Sequence, residues 1–257
     1  MKLDKRDLRT FAGLRRVVAA LRSPQGCPWD RVQTHRSLRP FLLEEASEAL
    51  AALDERDHDR LREELGDLLL EVLLHVRIAE EAGEFRLGDV VYGIADKLVR
   101  RHPHVFDEAV AETPEAVVEQ WEELKREERG DESALSGIPE TLPALALAQM
   151  MQRRAERAGF VWESLEQAWQ ALEEELAELR QAATSQERRQ EVGDALFALA
   201  NLARWLDVDA EEALRSTCRS FRRLFQRAEE MARQRGEAIR EMDIAQKLAL
   251  WEAAKET

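Results

Sequence analysis

Proline is missing from this 257-residue chain beyond position 143, since all seven prolines (24, 28, 40, 103, 114, 139 and 143) lie at or before it. Nothing after that point interrupts a helix for want of a backbone N–H. Cysteine is nearly absent too. Cys27 and Cys218 lie far apart without a C-x-x-C spacing, which excludes a disulfide framework, gives no zinc signature and suits a reducing cytoplasm. No run of about 18 apolar residues occurs. The opening MKLDKRDLRTFAGLRRVV is charged and has no apolar h-region, so neither a membrane span nor an export signal is expected. Basic charge is short as well: 38 Lys and Arg stand against 52 Asp and Glu, a formal net charge of −14. Binding to duplex nucleic acid needs clustered cations at the phosphates, so nucleic acid is not expected as a partner. An acidic site still admits a phosphorylated small molecule when divalent cations reverse its sign.

What the chain does have is 44% hydrophobic and 35% charged residues with only 6% aromatics, the profile of a protein built from long helices with a sizeable core. The apolar periodicity and breaker residues place helices at roughly 5–22, 38–55, 58–82, 88–101 and 114–129, then 143–157, 164–182, 186–205, 209–235 and 241–256. Four landmarks recur in the same order. CPWD (27–30) is echoed by FVWE (160–163), LLEEASEAL (42–50) by LEEELAEL (172–179), EELGDLLLEV (63–72) by QEVGDALFAL (190–199), and QWEELK (120–125) by LWEAAK (250–255). Between the copies, REERGDESALSGIPETLP breaks the helical pattern with Gly, Ser and Pro. The expectation is an all-α fold of two tandem helical-bundle domains, 1–128 and 143–257, joined by a linker at 129–142.

Acidic residues carry the chemistry. On the 42–53 segment Glu44, Glu45 and Glu48 crowd one side of a helix whose other side is apolar, a pattern that a solvated face explains on its own. The 61–78 segment differs, because ten apolar residues cover most of its circumference and leave a narrow stripe of Glu64, Asp67, Glu71 and His75. Glu191, Asp194 and Asn201 repeat the stripe. Carboxylates gathered out of water need compensation, from arginines of neighbouring helices or from a divalent metal. Oxygen ligands without a Cys/His cluster suit Mg²⁺, with Mn²⁺ as a substitute. Gly66 and Gly193 cost each stripe helix about 1 kcal/mol against alanine. Close approach of a facing helix or of a ligand is the expected reason.

The repeated EExxE…ExxD pattern, EEASE (44–48) with EELGD and EELAE (174–178) with EVGD, resembles the all-α nucleoside triphosphate pyrophosphohydrolases. GCPWDRVQTHRSLRPFLLEEASEAL, DKLVRRHPHVF (96–106) and IPETLPALALAQMMQRRAERAGFVW (138–162) are similar to the MazG family in particular. The resemblance implies tandem helical domains, an intertwined homodimer and Mg²⁺-dependent hydrolysis of a nucleoside triphosphate to monophosphate and pyrophosphate. It implies metal ligation by Glu45, Glu48, Glu64 and Asp67 in the first half and by Glu175, Glu178, Glu191 and Asp194 in the second. Glu44 and Glu174 would position or deprotonate the water. Lys97, Arg100 and Arg101 would contact phosphates, and Trp121 and Trp251 would stack on a base, with Lys125 and Lys255 one turn beyond. Each has a plainer explanation: tryptophans fill helical cores, and basic residues near helix ends complement the dipole. His102 and His104 flank Pro103 in what reads equally as a structural or a phosphate-contacting turn.

The second half departs from the family. Where a K-x-N-x-K-F segment is expected before two arginines, STCRSFRR (216–223) puts Ser216, Cys218 and Ser220, and Arg219, Arg222 and Arg223 substitute in part. Both halves are expected to bind metal, with the balance of turnover moved toward the first. The competing readings are a nucleotide-sensing module with decayed sites, a narrow dCTP or dUTP pyrophosphatase, and a phosphoribosyl-ATP pyrophosphohydrolase.

Overall fold

Polar caps decide where the helices begin. In the computed structural model, which describes residues 4–107, 110–111, 113–130 and 132–255, Thr10 accepts from the Gly13 N–H and opens α1 (Phe11–Leu21). The expected start near residue 5 fails because a 3₁₀ turn, Asp7–Arg9, precedes that cap. The turn presses so closely on α1 that a Cβ at Gly13 would overlap the Asp7 carbonyl. A four-residue helix α2 (Pro28–Arg31) follows, and α3 (His35–Glu55) starts at a capping box made by Thr34 and Ser37. That box carries the helix three residues further back than its periodicity shows. Pro40 therefore lies inside α3, where its missing N–H removes one helical hydrogen bond.

Arg56, in the left-handed region at φ 56°, ends α3, and Asp57 caps α4 (His58–Ala82) by accepting from the Asp59 and Arg60 N–H groups. So short a turn makes α3 and α4 an antiparallel hairpin. Val18 of α1 packs with Leu38, Leu73 and Leu74 to form its core. The Arg22 guanidinium is buried and donates to the carbonyls of Asp30 and Gln33 while pairing with Glu81 at 2.8 Å, which ties the α2 loop to α4. Next come α5 (Leu87–Arg101), α6 (Pro103–Phe106) and α7 (Pro114–Arg129). Within α7 the side chains of residues 115, 119, 122, 123, 125–127 and 129 lie outside the described set.

The remaining helices are α8 (Ala144–Arg157), α9 (Leu165–Gln181), α10 (Ser185–Trp205), α11 (Ala210–Gln234) and α12 (Ile244–Lys255). α9 and α10 form a second hairpin over Ala168, Leu172 and Leu202, and α11 and α12 pair over Ala228, Ala232, Met242, Leu250 and Ala254. No strand occurs among the described residues. The all-α expectation holds, and the chain divides into two compact units, Met1–Trp121 and Glu122–Thr257.

Neither stripe helix is covered all round within its unit. On α4, Leu65 is 54% exposed and Leu69 and Val72 also face outward; on α10, Val192, Leu196 and Leu199 do the same. The expected close approach at the stripe glycines is not made by a facing helix either. A Cβ at Gly66 or Gly193 meets no atom within 4 Å, because both glycines lie on these outward faces.

Candidate active site: two carboxylate clusters

Each hairpin brings its acids together where the facing helices run side by side. In the first unit Glu45, Glu48 and Glu64 each offer an oxygen within 4.8 Å of the others. Burial pushes the Glu45 carboxyl above its ordinary pKa, and the charges of Asp67, Glu48, Glu64 and Glu44 push it further. Glu64 is only 7% exposed and accepts from Arg60 Nε at 3.3 Å, so an arginine of its own helix answers part of the crowding. Glu71, one turn beyond Asp67, is 6% exposed; burial raises its pKa, with Glu45 and Asp67 adding to the effect, and its Oε2 has no hydrogen-bond partner. Beyond it the His35 and His75 rings stack, with their Nδ1 atoms 2.7 Å apart. One ring donates and the other accepts, and burial followed by the neighbouring ring lowers the pKa of His75.

The second unit repeats the cluster. Glu175, Glu178 and Glu191 bring oxygens within 4.8 Å of one another. Burial raises the Glu175 pKa, followed by the charges of Asp194, Glu178, Glu191 and Glu174. Glu191 is raised by burial, then by Glu178, Asp194 and Glu187. Glu187 stands where Arg60 stands in the first unit, and it closes the capping box of α10 instead. There its carboxylate accepts from the Thr184 and Ala183 N–H groups, which hold its own pKa low. Beside these acids opens a cavity of about 520 Å³ with Glu175 and Asp194 in its wall and Phe160, Trp162 and Phe197 around them.

The other expected site residues divide. In the first unit the Trp121 and His102 rings meet in a T-shaped pair with their centres 4.8 Å apart, which joins Trp121 to the RRHPHVF segment. His102 Nδ1 lies 2.6 Å from the Leu98 carbonyl and braces the last turn of α5, and His104 Nδ1 lies 3.0 Å from Gln120 Oε1 and ties α6 to α7. Lys97 is exposed, Arg100 pairs with Asp96 at 2.9 Å, and Arg101 is half-buried. The Lys125 side chain lies outside the described set. In the second unit Arg223 reaches Ser220 at 3.2 Å, Trp251 packs on Phe221 at 5.2 Å, and Lys255 pairs with Glu252 at 2.8 Å. Arg219 and Arg222 share α11 with Arg223, Trp251 and Lys255 lie on α12, and none of these five lines the cavity beside Glu175 and Asp194. Glu44 and Glu174 are exposed beside their clusters, and Glu174 accepts from Gln170 at 3.0 Å.

Sequence reasoning missed the amides of α8. Gln149 is fully paired: its Nε2 donates to the Ala200 and Val208 carbonyls and its Oε1 accepts from the Ala210 N–H. Gln152, 8% exposed, donates to the Phe197 carbonyl at 2.8 Å, while its Oε1 is buried without a partner. A buried polar atom left so costs about 1–3 kcal/mol. The one signal for this pair was two amides three residues apart on the otherwise apolar face of ALALAQMMQRRAER.

Converging carboxylates with raised pKa values fit a hard divalent cation, which would replace mutual repulsion with attraction. Among the described residues these are the two groups of at least three such side chains that converge this closely. Comparison with known proteins gives the same frame. The MazG nucleotide pyrophosphohydrolase domain matches residues 33–106. The nucleoside triphosphate pyrophosphohydrolase/pyrophosphatase MazG of Thermotoga maritima is 42% identical over 247 residues, 95% of this chain and 95% of that protein. The nucleoside triphosphate pyrophosphohydrolase of Escherichia coli is 40% identical over 248 residues, 93% of this chain and 94% of that one. A Mycobacterium tuberculosis protein of the same description is 45% identical over 135 residues, 51% of this chain and 41% of its own length. Similarity that runs nearly end to end in both partners leaves one conclusion: this chain belongs to the MazG nucleotide pyrophosphohydrolase family.

Proposed function

We propose that this chain hydrolyses nucleoside triphosphates, ribose or deoxyribose, to the monophosphate and pyrophosphate with Mg²⁺, and so clears surplus nucleotides. The observation that carries the reading is the pair of converging carboxylate clusters in a chain of this family. Glu45, Glu48, Glu64 and Asp67 hold metal in one site, and Glu175, Glu178, Glu191 and Asp194 in the other. A bound divalent cation supplies charge neutralisation for the triphosphate and a more acidic water. Glu44 and Glu174, exposed at the cluster edges, accept the proton of the attacking water. The water oxygen bonds to the α-phosphorus, and the bond from that phosphorus to the bridging oxygen breaks to release pyrophosphate. Lys97, Arg100, Arg101 and Lys125, and in the second half Arg219, Arg222, Arg223 and Lys255, are assigned to the phosphates. Trp121 and Trp251 are assigned to the base.

Domain limits of 1–128 and 143–257 with a linker at 129–142 belong to the same reading. So do a cytoplasmic location and a homodimer formed through the outward apolar faces of α4 and α10. Among the described residues no helix is long and apolar enough to cross a membrane. The test is product analysis: a panel of nucleoside triphosphates incubated with Mg²⁺ should yield pyrophosphate and monophosphate. Release of orthophosphate, or of neither product, would remove the hydrolytic reading. Turnover of one base alone would replace it with a specialist.

A further inference from the structure

His35 and His75 put a polar contact where the second unit has leucine. In the register that pairs Glu45 with Glu175, Leu165 stands where His35 does, and in the register that pairs Glu64 with Glu191, Leu202 stands for His75. The helix starts agree. Thr34 caps α3 just ahead of His35, and Ser164 caps α9 just ahead of Leu165. Leu202 is buried with Ala168 and Leu172, Leu165 packs against that cluster, and neither leucine lines the cavity beside Glu175 and Asp194. The histidines thus replace a core contact and stand apart from the carboxylate site.

Their geometry limits how many protons they can share. The ring planes are parallel to within 3° and the Nδ1 atoms lie 2.7 Å apart, so one hydrogen is held between the two nitrogens. One added proton leaves that bond in place, because an imidazolium on either ring donates to the neutral ring opposite. A second cannot be taken up in this way, since two N–H groups would then face each other across the same distance. The contact has to open. His75 Nε2, buried without a partner, gives the second charge nothing to bond inside the hairpin. Around the pair, Glu84 Oε2 lies 3.8 Å from His35 Nε2, the buried Glu71 sits one turn before His75, and Arg36 and Arg39 of α3 are exposed. The α1 arginines that reach α4, Arg15 and Arg22, are held by Glu80 and Glu81, and α5 adds the apolar Leu87 to this core.

We infer that the His35–His75 bond is an acid-released latch confined to the first hairpin: it fastens the first turn of α3 to α4 while the pair carries at most one extra proton, and lets go when a second arrives. Its sign sets it apart from the carboxylates nearby. Burial raises Glu45 and Glu71, so acid relieves them and stabilises the metal-free hairpin. Burial, followed by the neighbouring ring, lowers His75 below the ordinary 6.5, so its contribution is present above that value and is lost as pH falls through the folded one. The second hairpin, with Leu165 and Leu202 in these places, has no such release.

The test uses the full chain without metal and has two readouts. In histidine-labelled protein, nitrogen–nitrogen scalar coupling across the hydrogen bond should join the two Nδ1 atoms at about pH 7.5 and vanish on titration to about pH 4.5. Absence of that coupling at the higher pH, or its survival at the lower, overturns the inference. The second readout compares the wild type with His35→Leu/His75→Leu, which installs the residues of the second unit. Across the same titration the Tm of the wild type should fall relative to that of the double variant by about 3 °C or more. The carboxylates are common to both proteins and cancel in this difference. A difference that does not change with pH, or one that grows in favour of the wild type in acid, also overturns the latch. If the double variant does not fold, the coupling in the wild type decides alone.

Discussion

Two hairpins carry the same four acids in the same order, yet they are backed by different chemistry. Behind Glu45 and Glu64 stand Arg60, the buried Glu71 and the stacked His35–His75 pair. Behind Glu175 and Glu191 stand Glu187, turned away to cap its helix, and a cavity with two oriented amides. The segments proposed to face the phosphates diverge the other way. DKLVRRHPHVF is whole in the first half, whereas Ser216, Cys218 and Ser220 occupy the matching stretch of the second. A duplicated carboxylate cluster thus does not imply a duplicated site, because the residues proposed to recognise the phosphates and the base lie outside the cluster.

The sharpest way to break that contrast is to disable one cage at a time. Glu64→Ala/Asp67→Ala should remove the larger share of pyrophosphate release, and Glu191→Ala/Asp194→Ala the smaller. Each share should fall about a thousandfold, roughly 4 kcal/mol of transition-state charge stabilisation at about 1.36 kcal/mol per decade. If the second pair alone abolishes all turnover, the first half has no catalytic part.

Metal linkage comes next. Mg²⁺ at about a hundred times its dissociation constant should stabilise each unit by about 2.7 kcal/mol, read as a rise in Tm that a chelator reverses. The sign of its pH dependence follows from the raised carboxyls. Glu45, Glu71, Glu175 and Glu191 have folded-state pKa values above the ordinary 4.5. Their contribution to metal-free stability is therefore fully present below about pH 4.5 and is lost as pH rises through the folded values. Metal requires the ionised forms, so the Mg²⁺-induced rise in Tm should shrink as pH falls and these raised carboxyls take up protons. A rise that does not vary with pH would count against these carboxylates as ligands.

Smaller effects compare the outward faces and the caps. Leu69→Asp on α4 and its counterpart Leu196→Asp on α10 leave both cores untouched, and each should weaken the proposed dimer by about 2 kcal/mol, near thirtyfold in Kd by sedimentation. If only one of them does so, only that hairpin belongs to the interface. Asp57→Ala and Thr184→Ala remove the caps of the two stripe helices, and each should cost about 1 kcal/mol in a thermal melt.

Much of this was legible in the residues. The stripe of Glu64 and Asp67 is visible because a helix of 3.6 residues per turn converts spacings of three and four into one line. Its partner acids had to lie opposite, since Arg56 and Asp57 leave room only for a hairpin. The start of α3 was obscured by Pro40, which reads as a boundary until the Thr34 box is seen to open the helix ahead of it. The outward exposure of α4 and α10 is not visible in the sequence, because periodicity reports which residues are apolar and not what covers them. Gln152 stays hidden in the sequence, and Asn201 shows only as part of the stripe, for another reason: which end of an amide is bonded depends on partners about 45 positions away or on another turn, and one sequence does not display that pairing.

One consequence of the tight turn between α3 and α4 concerns assembly. All the cage residues of the first half lie between positions 45 and 67, and those of the second between 175 and 194. Contacts of such short sequence separation form early, with little loop-closure entropy to overcome. Each cage can close as soon as its own hairpin does, before the rest of the chain has found its place.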